Sequence, residues 1–470
     1  MTVISSANAR SAGDRPNIIY IIADDLGYNE LGCYGQKIIK TPNIDRIATE
    51  GIKFTQHYSG QAVCAPARCS LMTGYHMGHA FIRDNSNPPT RMPAYKKDGI
   101  FPGQTAIPDE TITIPELLKQ KNYATAAYGK WGLGYEGSSG DPLKQGFDDF
   151  GGFLCQIHAH NHYPEYLWKN GKKITLPGND RTLKGKSYSQ DYFVNWGLDF
   201  IRENKEKPFF LYLPFAVPHL SIQVPDEEVE KYRQVIKEEK HKHRGYLKHP
   251  YPRAAYAAMV SYMDQGVGEI MELVKKLGLD DNTIILFSSD NGPATNRLGG
   301  SDSTFFDSAN GFRGTKGSLY EGGIRIPLVA RWPGKIKAGT VSDHQSAFWD
   351  ILPTFCDLAE IKAPEGIDGI SLAPTLLGQA QQQKQHAYLY WEFSSYGGQQ
   401  ALRMGKWKAI RQNLLKGKNP VIKTELYDLQ ADPAESVDLA EKHPELLKKL
   451  EQAMKDARRP STIFPFRPLD

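Results

Sequence analysis

The chain has 470 residues, with 57 lysines and arginines against 53 aspartates and glutamates, and a formal net charge of +4. So small a charge gives no argument for binding nucleic acid, and we expect no such partner. No apolar run reaches the roughly 18 residues that a membrane span needs. The length suits one large α/β domain with a smaller second one. The five cysteines match no zinc-site spacing, and a disulfide scaffold is not expected at this size.

Residues 1–14 are predicted to be a tail outside the folded domains. They lack a basic segment followed by an apolar one, so they hold no complete signal peptide. Ala7-Asn8-Ala9 nevertheless resembles the small-x-small site at which export signals are cut. Two interpretations stay open, a trimmed bacterial periplasmic or secreted protein and a random small-residue tail, and a cytoplasmic location is not excluded.

Strands and helices alternate along the main part of the chain. Apolar runs predict strands at 16–23, 123–128, 208–213, 283–289 and 324–332. Helices are predicted between them, at 41–50, from Thr113, at 188–204, at 253–277 and at 348–359; Thr113 has capping-box spacing to Glu116. This alternation is typical of an α/β fold with a mostly parallel sheet covered by helices on both faces.

The pattern changes after residue 378. A glutamine-rich linker at 379–385 precedes short strands predicted at 388–393, 401–404, 407–411 and 424–428, and a helix at 444–458. We therefore predict a main domain at 15–378 and a smaller α+β domain with an antiparallel sheet at 379–470.

Acidic and amide side chains follow two of the predicted strands directly. Asp24 and Asp25 come after the first strand, and Asp290 and Asn291 come after the strand at 283–289. Open α/β sheets bind ligands at the carboxyl ends of their strands. Carboxylate and amide oxygens are ligands of hard cations such as Ca²⁺, which predicts a metal site here. The alternative is that Asp24-Asp25 only caps the next segment.

Four motifs occur in one order along the chain: Asp24-Asp25, Cys64-Ala-Pro66-Ala-Arg68, Gly129-Lys130-Trp131 and Asp290-Asn291. Through them the chain resembles, from residue 16 to about 411, the type I sulfatases of the alkaline phosphatase superfamily, which include bacterial carbohydrate sulfatases and arylsulfatases. The resemblance implies an alkaline phosphatase-like fold with a catalytic domain at 15–378. It also implies hydrolysis of a sulfate ester, with release of inorganic sulfate.

The resemblance gives Cys64 a special role. It implies that a formylglycine-generating or equivalent maturase, which recognises Pro66 and Arg68, oxidises Cys64 to formylglycine. The aldehyde hydrates, one hydroxyl attacks sulfur to form a covalent sulfo-enzyme, and the second hydroxyl then expels sulfate. The alternative is a buried, inert thiol.

Further roles are implied residue by residue. Asp24, Asp25, Asp290 and Asn291, with the modified Cys64, match the calcium ligands of the family. Arg68, Lys130 and Lys316 match cations that surround the transferring group, although Lys316 alternatively reads as a surface lysine of a Gly-rich loop. His219 matches the histidine that protonates the leaving alcohol, and the alternative is a packed histidine at a strand end.

One position departs from the pattern. Many members of the family carry a histidine where this chain has Gly132, and that histidine assists regeneration of the aldehyde. His76 and His79 are the first histidines after the Cys64 motif. Our hypothesis is that one of them takes over this role.

Two groups of residues are candidates for binding substrate. His158, His160, Asn161 and His162 form a dense polar cluster, interpreted as sugar contacts in preference to a transition-metal site or a solvated loop. Trp391, Glu392 and Arg403 are candidates for a pocket wall supplied by the second domain. The basic segment 237–248 is interpreted as solvated, with attraction of a polyanionic substrate as the alternative.

The favoured function is hydrolysis of a sulfate ester on a sulfated sugar or oligosaccharide. One alternative is a phosphonate or phosphate ester hydrolase of the same superfamily. Another is an inactive sugar-binding relative, which Gly132 favours and the intact Cys64 motif disfavours. The sequence does not identify the sugar or the position of its sulfate.

Overall fold

The computed structural model describes residues 15–85, 104–240, 242–417 and 422–470. Strand β1 (Asn17–Ala23) runs through its centre and is buried along its whole length. Alternate side chains of β1 point to opposite faces, so Ile19 and Ile21 enter one apolar core while Ile18 and Ile22 enter another. Because both faces are covered, the strand is apolar throughout.

The main sheet has eleven strands. The remaining ten are β2 (Ile52–Tyr58), β3 (Ala124–Lys130), β4 (Asp149–Phe153), β5 (Tyr166–Lys169), β6 (Lys172–Thr175), β7 (Phe209–Pro214), β8 (Thr283–Ser289), β9 (Arg325–Arg331), β10 (Thr340–Ser342) and β11 (Ser346–Ala347). Their spatial order is β10-β2-β9-β8-β1-β7-β3-β4-β5-β6, and β11 also pairs with β2. The run from β8 through β1, β7 and β3 to β4 is parallel, whereas β9 and β5 pair antiparallel with its two ends.

Helices cover both faces of this sheet. They are α1 (Pro42–Thr49), α2 (Cys64–Thr73), α3 (Ile114–Lys119), α4 (Ser189–Asn204), α5 (Asp226–Arg233), α6 (Pro252–Lys276), α7 (Glu321–Ile324), α8 (Ile351–Leu358), α9 (Ala373–Leu376) and α10 (Pro444–Asp456). Side chains of α1, α4, α5 and α6 line the core that holds Ile19 and Ile21. Side chains of α2, α3, α8 and α9 line the core of the opposite face.

A second, antiparallel sheet follows in the chain. Its strands β12 (Leu389–Phe393), β13 (Gln399–Met404), β14 (Trp407–Arg411) and β15 (Thr424–Asp428) pair in sequence order. One face packs under α10 through Leu450 and Met454. The other face packs through Trp391 against Tyr58 and Trp349 of the main sheet region.

A fully buried ionic group joins the two sheets. The ammonium of Lys408, on β14, lies 3.0 Å from a carboxylate oxygen of Glu321 and 2.9 Å from one of Glu435. The hydroxyl of Tyr58, on β2, donates to Glu321 at 2.6 Å. Buried charges of this kind need such partners, because an unpaired one is very costly.

The predicted fold class is confirmed, with a mostly parallel sheet between helices and a smaller antiparallel sheet. The capping box of Thr113 and Glu116 is present at the start of α3. Strands β2, β4, β5 and β6 and helix α2 were not predicted; α2 is buried at all ten positions, so it has no polar face and no helical periodicity. Among the described residues, no helix has the length and apolar character to cross a membrane. The boundary at 378/379 stays a prediction.

Candidate active site

The ends of three parallel strands of the main sheet build one buried cluster. Asp24 and Asp25 follow β1, Asp290 and Asn291 follow β8, and Lys130 is the last residue of β3. Strands β1 and β8 pair up to Ala23, whose carbonyl accepts from the backbone of Asp290 at 3.0 Å. These side chains are buried, so the strand ends bring together the charged groups that the sequence placed far apart.

Asp25 has a left-handed backbone conformation, with φ of 66°, which residues other than glycine rarely adopt. Its amide donates to Oδ1 of Asp290 at 3.1 Å, and its Oδ1 accepts from the amide nitrogen of Asn291 at 2.8 Å. Left-handed residues outside glycine cluster at functional sites, where the surroundings hold the strain. The turn lets Asp24 and Asp25 serve the same cluster.

Cys64 begins α2 and points into this cluster. Its Sγ lies 3.1 Å from Oδ1 of Asp24 and 3.4 Å from Nζ of Lys316. A helix N-terminus favours negative charge, which suits an anion bound beside this residue. However, burial and the charge of Asp24 raise the pKa of the Cys64 thiol, so the unmodified side chain is not a ready thiolate.

Three cations pair with the three carboxylates. Arg68, one turn after Cys64 on α2, donates to Oδ2 of Asp290 at 2.8 Å. Nζ of Lys130 lies 2.5 Å from Oδ2 of Asp24. Burial favours the neutral carboxyl, but Lys130 and its neighbouring cations hold the pKa of Asp24 well below its usual range. Asp24 therefore stays ionised although it is fully buried.

Lys316 reaches the cluster from a glycine-rich loop between β8 and α7. Its Nζ lies 2.7 Å from Oδ1 of Asp25. The backbone of Lys316 donates to the carbonyl of Pro293 at 2.9 Å, and that of Gly317 to the carbonyl of Ala62 at 2.8 Å. Gly317 has φ of 84° and lies under the ring of Tyr396, so this position requires glycine. Lys316 is thus a fixed part of the cluster.

The cluster fits a hard divalent cation. Ligand atoms of Asp24, Asp25, Cys64 and His219 lie within 4.8 Å of one another. Asp290 and Asn291 hydrogen-bond to Asp25. Oδ1 of Asn291 is buried with no hydrogen-bond partner among the described residues. Burial raises the pKa of Asp25 and Asp290, so a cation bound beside them would favour their ionised forms. Carboxylate and amide oxygens of this kind are ligands of hard divalent cations.

His219 approaches from the loop after β7. Its Nε2 lies 3.5 Å from Oδ2 of Asp25, and its Nδ1 lies 2.5 Å from the carbonyl oxygen of Leu220. Because the carbonyl can only accept, Nδ1 carries the hydrogen and Nε2 turns its lone pair to the cluster. Burial and Lys316 hold the pKa of His219 well below its usual range, so the free protein keeps this ring neutral.

The histidine cluster lies beside His219, but its members differ in role. The His160 ring stacks on the His219 ring at 4.8 Å, and Nε2 of His162 donates to the His219 carbonyl at 2.8 Å. His158 packs between aromatic rings, and Asn161 donates to the carbonyl of Arg181 at 2.9 Å. The structure brings His160 to the site and gives His162 a supporting position, whereas His158 and Asn161 are structural.

His76 and His79 lie elsewhere, which corrects the hypothesis about Gly132. They follow the far end of α2, whose ten residues span roughly 15 Å. His79 Nδ1 lies 2.9 Å from Asp368, and His76 is buried with its Nε2 3.4 Å from the same carboxylate. Cys64 is at the N-terminal end of α2, whereas His76 and His79 follow its C-terminal end. Neither imidazole therefore joins the cluster at Cys64.

The three candidates of the second sheet are also placed differently from expectation. Trp391 donates to the carbonyl of Ser59 at 2.9 Å. Glu392 accepts from two arginines, and Arg403 contacts Tyr58 and Gln56 of β2. All three are buried. Since their polar groups are engaged within the protein, the three residues do not form a pocket wall. Trp391 and Arg403 join the second sheet to the main sheet region, whereas Glu392 lies on the α10 side of the second sheet.

Tyr246 is a neighbour of the site that sequence reasoning missed. Its ring lies 5.3 Å from that of His160 and 5.9 Å from that of His219, and it is 37% exposed. It belongs to the segment 237–248, interpreted above as solvated. A lone aromatic residue within a lysine- and histidine-rich stretch was the available signal.

Comparison with known families agrees with this geometry. Residues 16–361 match the family described as Sulfatase, and residues 313–460 match the one described as N-sulphoglucosamine sulphohydrolase, C-terminal. N-acetylgalactosamine-6-sulfatase of Homo sapiens is 33% identical over 389 residues, which cover 78% of this chain and 67% of that protein.

Solved structures share the fold. Ps i-CgsB, crystallised in complex with k-i-k-neocarrahexaose, superposes with a TM-score of 0.76 at 30% identity, covering 95% of this chain and 94% of that chain. The phosphonate monoester hydrolase of Agrobacterium radiobacter superposes with a TM-score of 0.66 at 20% identity, covering 94% and 95%. The second likeness concerns the fold alone.

Proposed function

Because this chain belongs to the sulfatase family and is a sulfuric ester hydrolase, we propose that its substrate is a sulfated sugar or oligosaccharide. One relative is named for a sulfated amino sugar, and one structural neighbour was crystallised with an oligosaccharide. Hydrolysis of the sulfate ester is supported by the position of Cys64 among three cations and three carboxylates, and the sugar is inferred from these two relatives.

We propose that a maturase oxidises Cys64 to formylglycine. The raised pKa of the buried thiol supports this, because it leaves the unmodified residue without the thiolate that nucleophilic attack needs. When present, the hydrated aldehyde supplies an oxygen nucleophile in its place. The first turn of α2 holds that residue, and Arg68 of the same helix faces the same cluster.

Asp24, Asp25, Asp290 and Asn291 would hold a calcium ion, as the unpartnered oxygen of Asn291 supports. The ion, when bound, adds positive charge where sulfate oxygens lie. Arg68, Lys130 and Lys316 act with it, because fixed cations in a buried site stabilise charge that develops on the transferring group. Their pairing with carboxylates keeps them in place before substrate arrives.

His219 is proposed to protonate the leaving alcohol. In the free protein its Nε2 carries no proton, since the pKa of His219 is held well below its usual range. An anionic sulfate close to the ring raises the pKa of a histidine, so binding of substrate favours the protonated form. The bond from His162 to the His219 carbonyl fixes the approach of the ring.

The test is a panel of defined sulfated monosaccharides and oligosaccharides, assayed for released sulfate. The protein is used after peptide mass has confirmed the modification of Cys64. We expect turnover of at least one sugar sulfate, faster than that of an aryl phosphate. A preference for phosphate or phosphonate esters would favour the alternative of a phosphorus ester hydrolase, which shares the fold. No turnover by fully modified protein would favour an inactive sugar-binding relative.

A periplasmic or secreted bacterial location stays a proposal. A polymeric sulfated substrate outside the cell would suit it, since such polymers do not cross a membrane unaided. Fractionation of cells that express the full gene, followed by detection of the protein, tests the location.

A further inference from the structure

Gln156 carries an amide group that the protein leaves without a partner. It lies three residues after β4 and is 5% exposed. Neither its amide nitrogen nor its amide oxygen has a hydrogen-bond partner in the described structure. Burying an unpaired carboxamide costs free energy, so such a group in a native protein needs an explanation.

The amide lies between two segments of the active site. A Cβ atom placed on Gly132 would be 2.0 Å from Nε2 of Gln156 and 3.9 Å from Cβ of Ala65. Gly132 is two residues after Lys130, and Ala65 directly follows Cys64. The backbone of Trp131 donates to the carbonyl of Phe153 at 2.8 Å, which ties the end of β3 to the end of β4.

The amide of Gln156 occupies the space in which a side chain at position 132 would lie. Gly132 has φ of 86°, a left-handed conformation in which glycine is strongly favoured. A side chain at position 132 would therefore meet both backbone strain and the amide of Gln156. Gln156 supplies the polar atoms here, next to the first turn of α2.

We propose that the Gln156 carboxamide donates a hydrogen bond to an oxygen of the bound sulfate group. The proposal rests on the proposed function, because it assigns a further contact to the same site. A carboxamide does not titrate near neutrality, so Gln156 orients the group and stabilises charge on it without transferring a proton. It adds a directional neutral donor to the charges of Lys130 and Arg68.

Gln156→Leu tests the assignment, because leucine has a similar volume and no hydrogen-bonding group. We expect kcat/KM for a sugar sulfate to fall about 100-fold. We expect the melting temperature to stay the same or to rise, since the variant removes a buried unpaired amide. A purely structural role would instead lower activity and melting temperature together, and that outcome would overturn the assignment.

Gln190→Leu is the matched control. Gln190, on α4, is also buried with an unpartnered amide, but it lines a separate cavity of about 230 Å³ with Val194 and Tyr262. That cavity has room for water. We expect wild-type kcat/KM from this variant.

Inorganic sulfate separates this inference from the proposed function. We expect its inhibition or binding constant to weaken at least tenfold in Gln156→Leu and to stay unchanged in Gln190→Leu. Wild-type kcat/KM and wild-type sulfate binding in Gln156→Leu would overturn the role of Gln156. If wild-type protein hydrolyses no sulfate ester, the proposed function fails, yet sulfate binding that is lost in Gln156→Leu still supports the contact.

Discussion

Arg68 donates two hydrogen bonds to one oxygen of Asp290, from Nε at 3.1 Å and from Nη2 at 2.8 Å. Both side chains are fully buried. The guanidinium also donates to the carbonyl of Lys130, so it joins the ends of β8 and β3. A planar group with several donors is needed for this arrangement, and a lysine cannot reproduce it.

Arg68→Lys should therefore strongly reduce activity, although it keeps the positive charge. We expect kcat/KM for a sulfate ester to fall by about 100-fold or more, because one fixed cation of the site is displaced. Arg68→Ala should also destabilise the fold by about 3–5 kcal/mol, since Asp290 is left as an unpaired buried charge. Steady-state kinetics and denaturant unfolding measure the two effects.

Arg202→Lys is a suitable control, because Arg202 forms an exposed ion pair with Asp199. It should leave both quantities unchanged. Full activity in Arg68→Lys would contradict the role given to the guanidinium.

Chelation should abolish activity, and added calcium should restore it. The proposed ligands are carboxylate and amide oxygens, which are the ligands that calcium prefers. In Asn291→Ala we expect a higher calcium concentration for half-maximal activity, because one oxygen donor is lost. Activity titrations with calcium after treatment with a chelator provide the measurement. Asn204→Ala, in α4, serves as the control and should need the same calcium concentration as wild type. Unaltered activity of the wild-type protein after chelation would rule out a required metal.

Cys64→Ala should reduce turnover to background, because no side-chain nucleophile remains. Cys33→Ala should keep wild-type turnover, since Cys33 lies in a 3-10 turn and contributes no side-chain atom to the cluster. Sulfate release is measured for both, along with the mass of the Cys64 peptide in wild type. Turnover that survives in Cys64→Ala would disprove the proposed nucleophile.

Glu435 should make stability depend on pH. Burial raises the pKa of Glu435 to about 7, against an ordinary value of 4.5. The folded protein therefore binds a proton here that the unfolded chain has lost, and this contribution to stability declines as pH rises from about 4.5 to about 7. Glu435→Gln removes the titration, so its melting temperature relative to wild type should be higher at pH 8 than at pH 5.

Glu365→Gln is the corresponding control, because Glu365 is exposed in a pair with Lys362. Its melting temperature relative to wild type should show little dependence on pH. A Glu435→Gln difference that is constant from pH 5 to pH 8 would show that Glu435 does not titrate in this range.

Sequence reasoning correctly predicted that Asp24, Asp25, Asp290 and Asn291 lie close together, for a physical reason. Asp24 and Asp290 each follow an apolar buried strand, and the carboxyl ends of adjacent parallel strands meet at one edge of a sheet. The motif around Cys64 could be recognised without knowledge of its helix. These features depend on local sequence and on one general rule of topology.

The errors arose where tertiary packing decides. Glu392 and Arg403 have the residue types of a binding pocket, yet both are buried in ion pairs and hydrogen bonds with distant parts of the chain. Glu392 pairs with Arg83 and Arg458, and Arg403 contacts β2, and no local pattern reveals these contacts. His76 is close to Cys64 in sequence but separated from it by the length of α2. No sequence pattern indicated Gln156 as a site residue, because its position depends on the pairing of β3 with β4.

Helix α2 is buried at all ten positions, and Cys64 is 1% exposed. The proposed oxidation requires an enzyme to reach a side chain that the folded protein encloses, so we expect it to take place before α2 packs into the core. Under this proposal, the active fraction of the protein depends on how the rate of oxidation compares with the rate of folding. Slower synthesis or a lower growth temperature should give a larger active fraction from the same amount of chain.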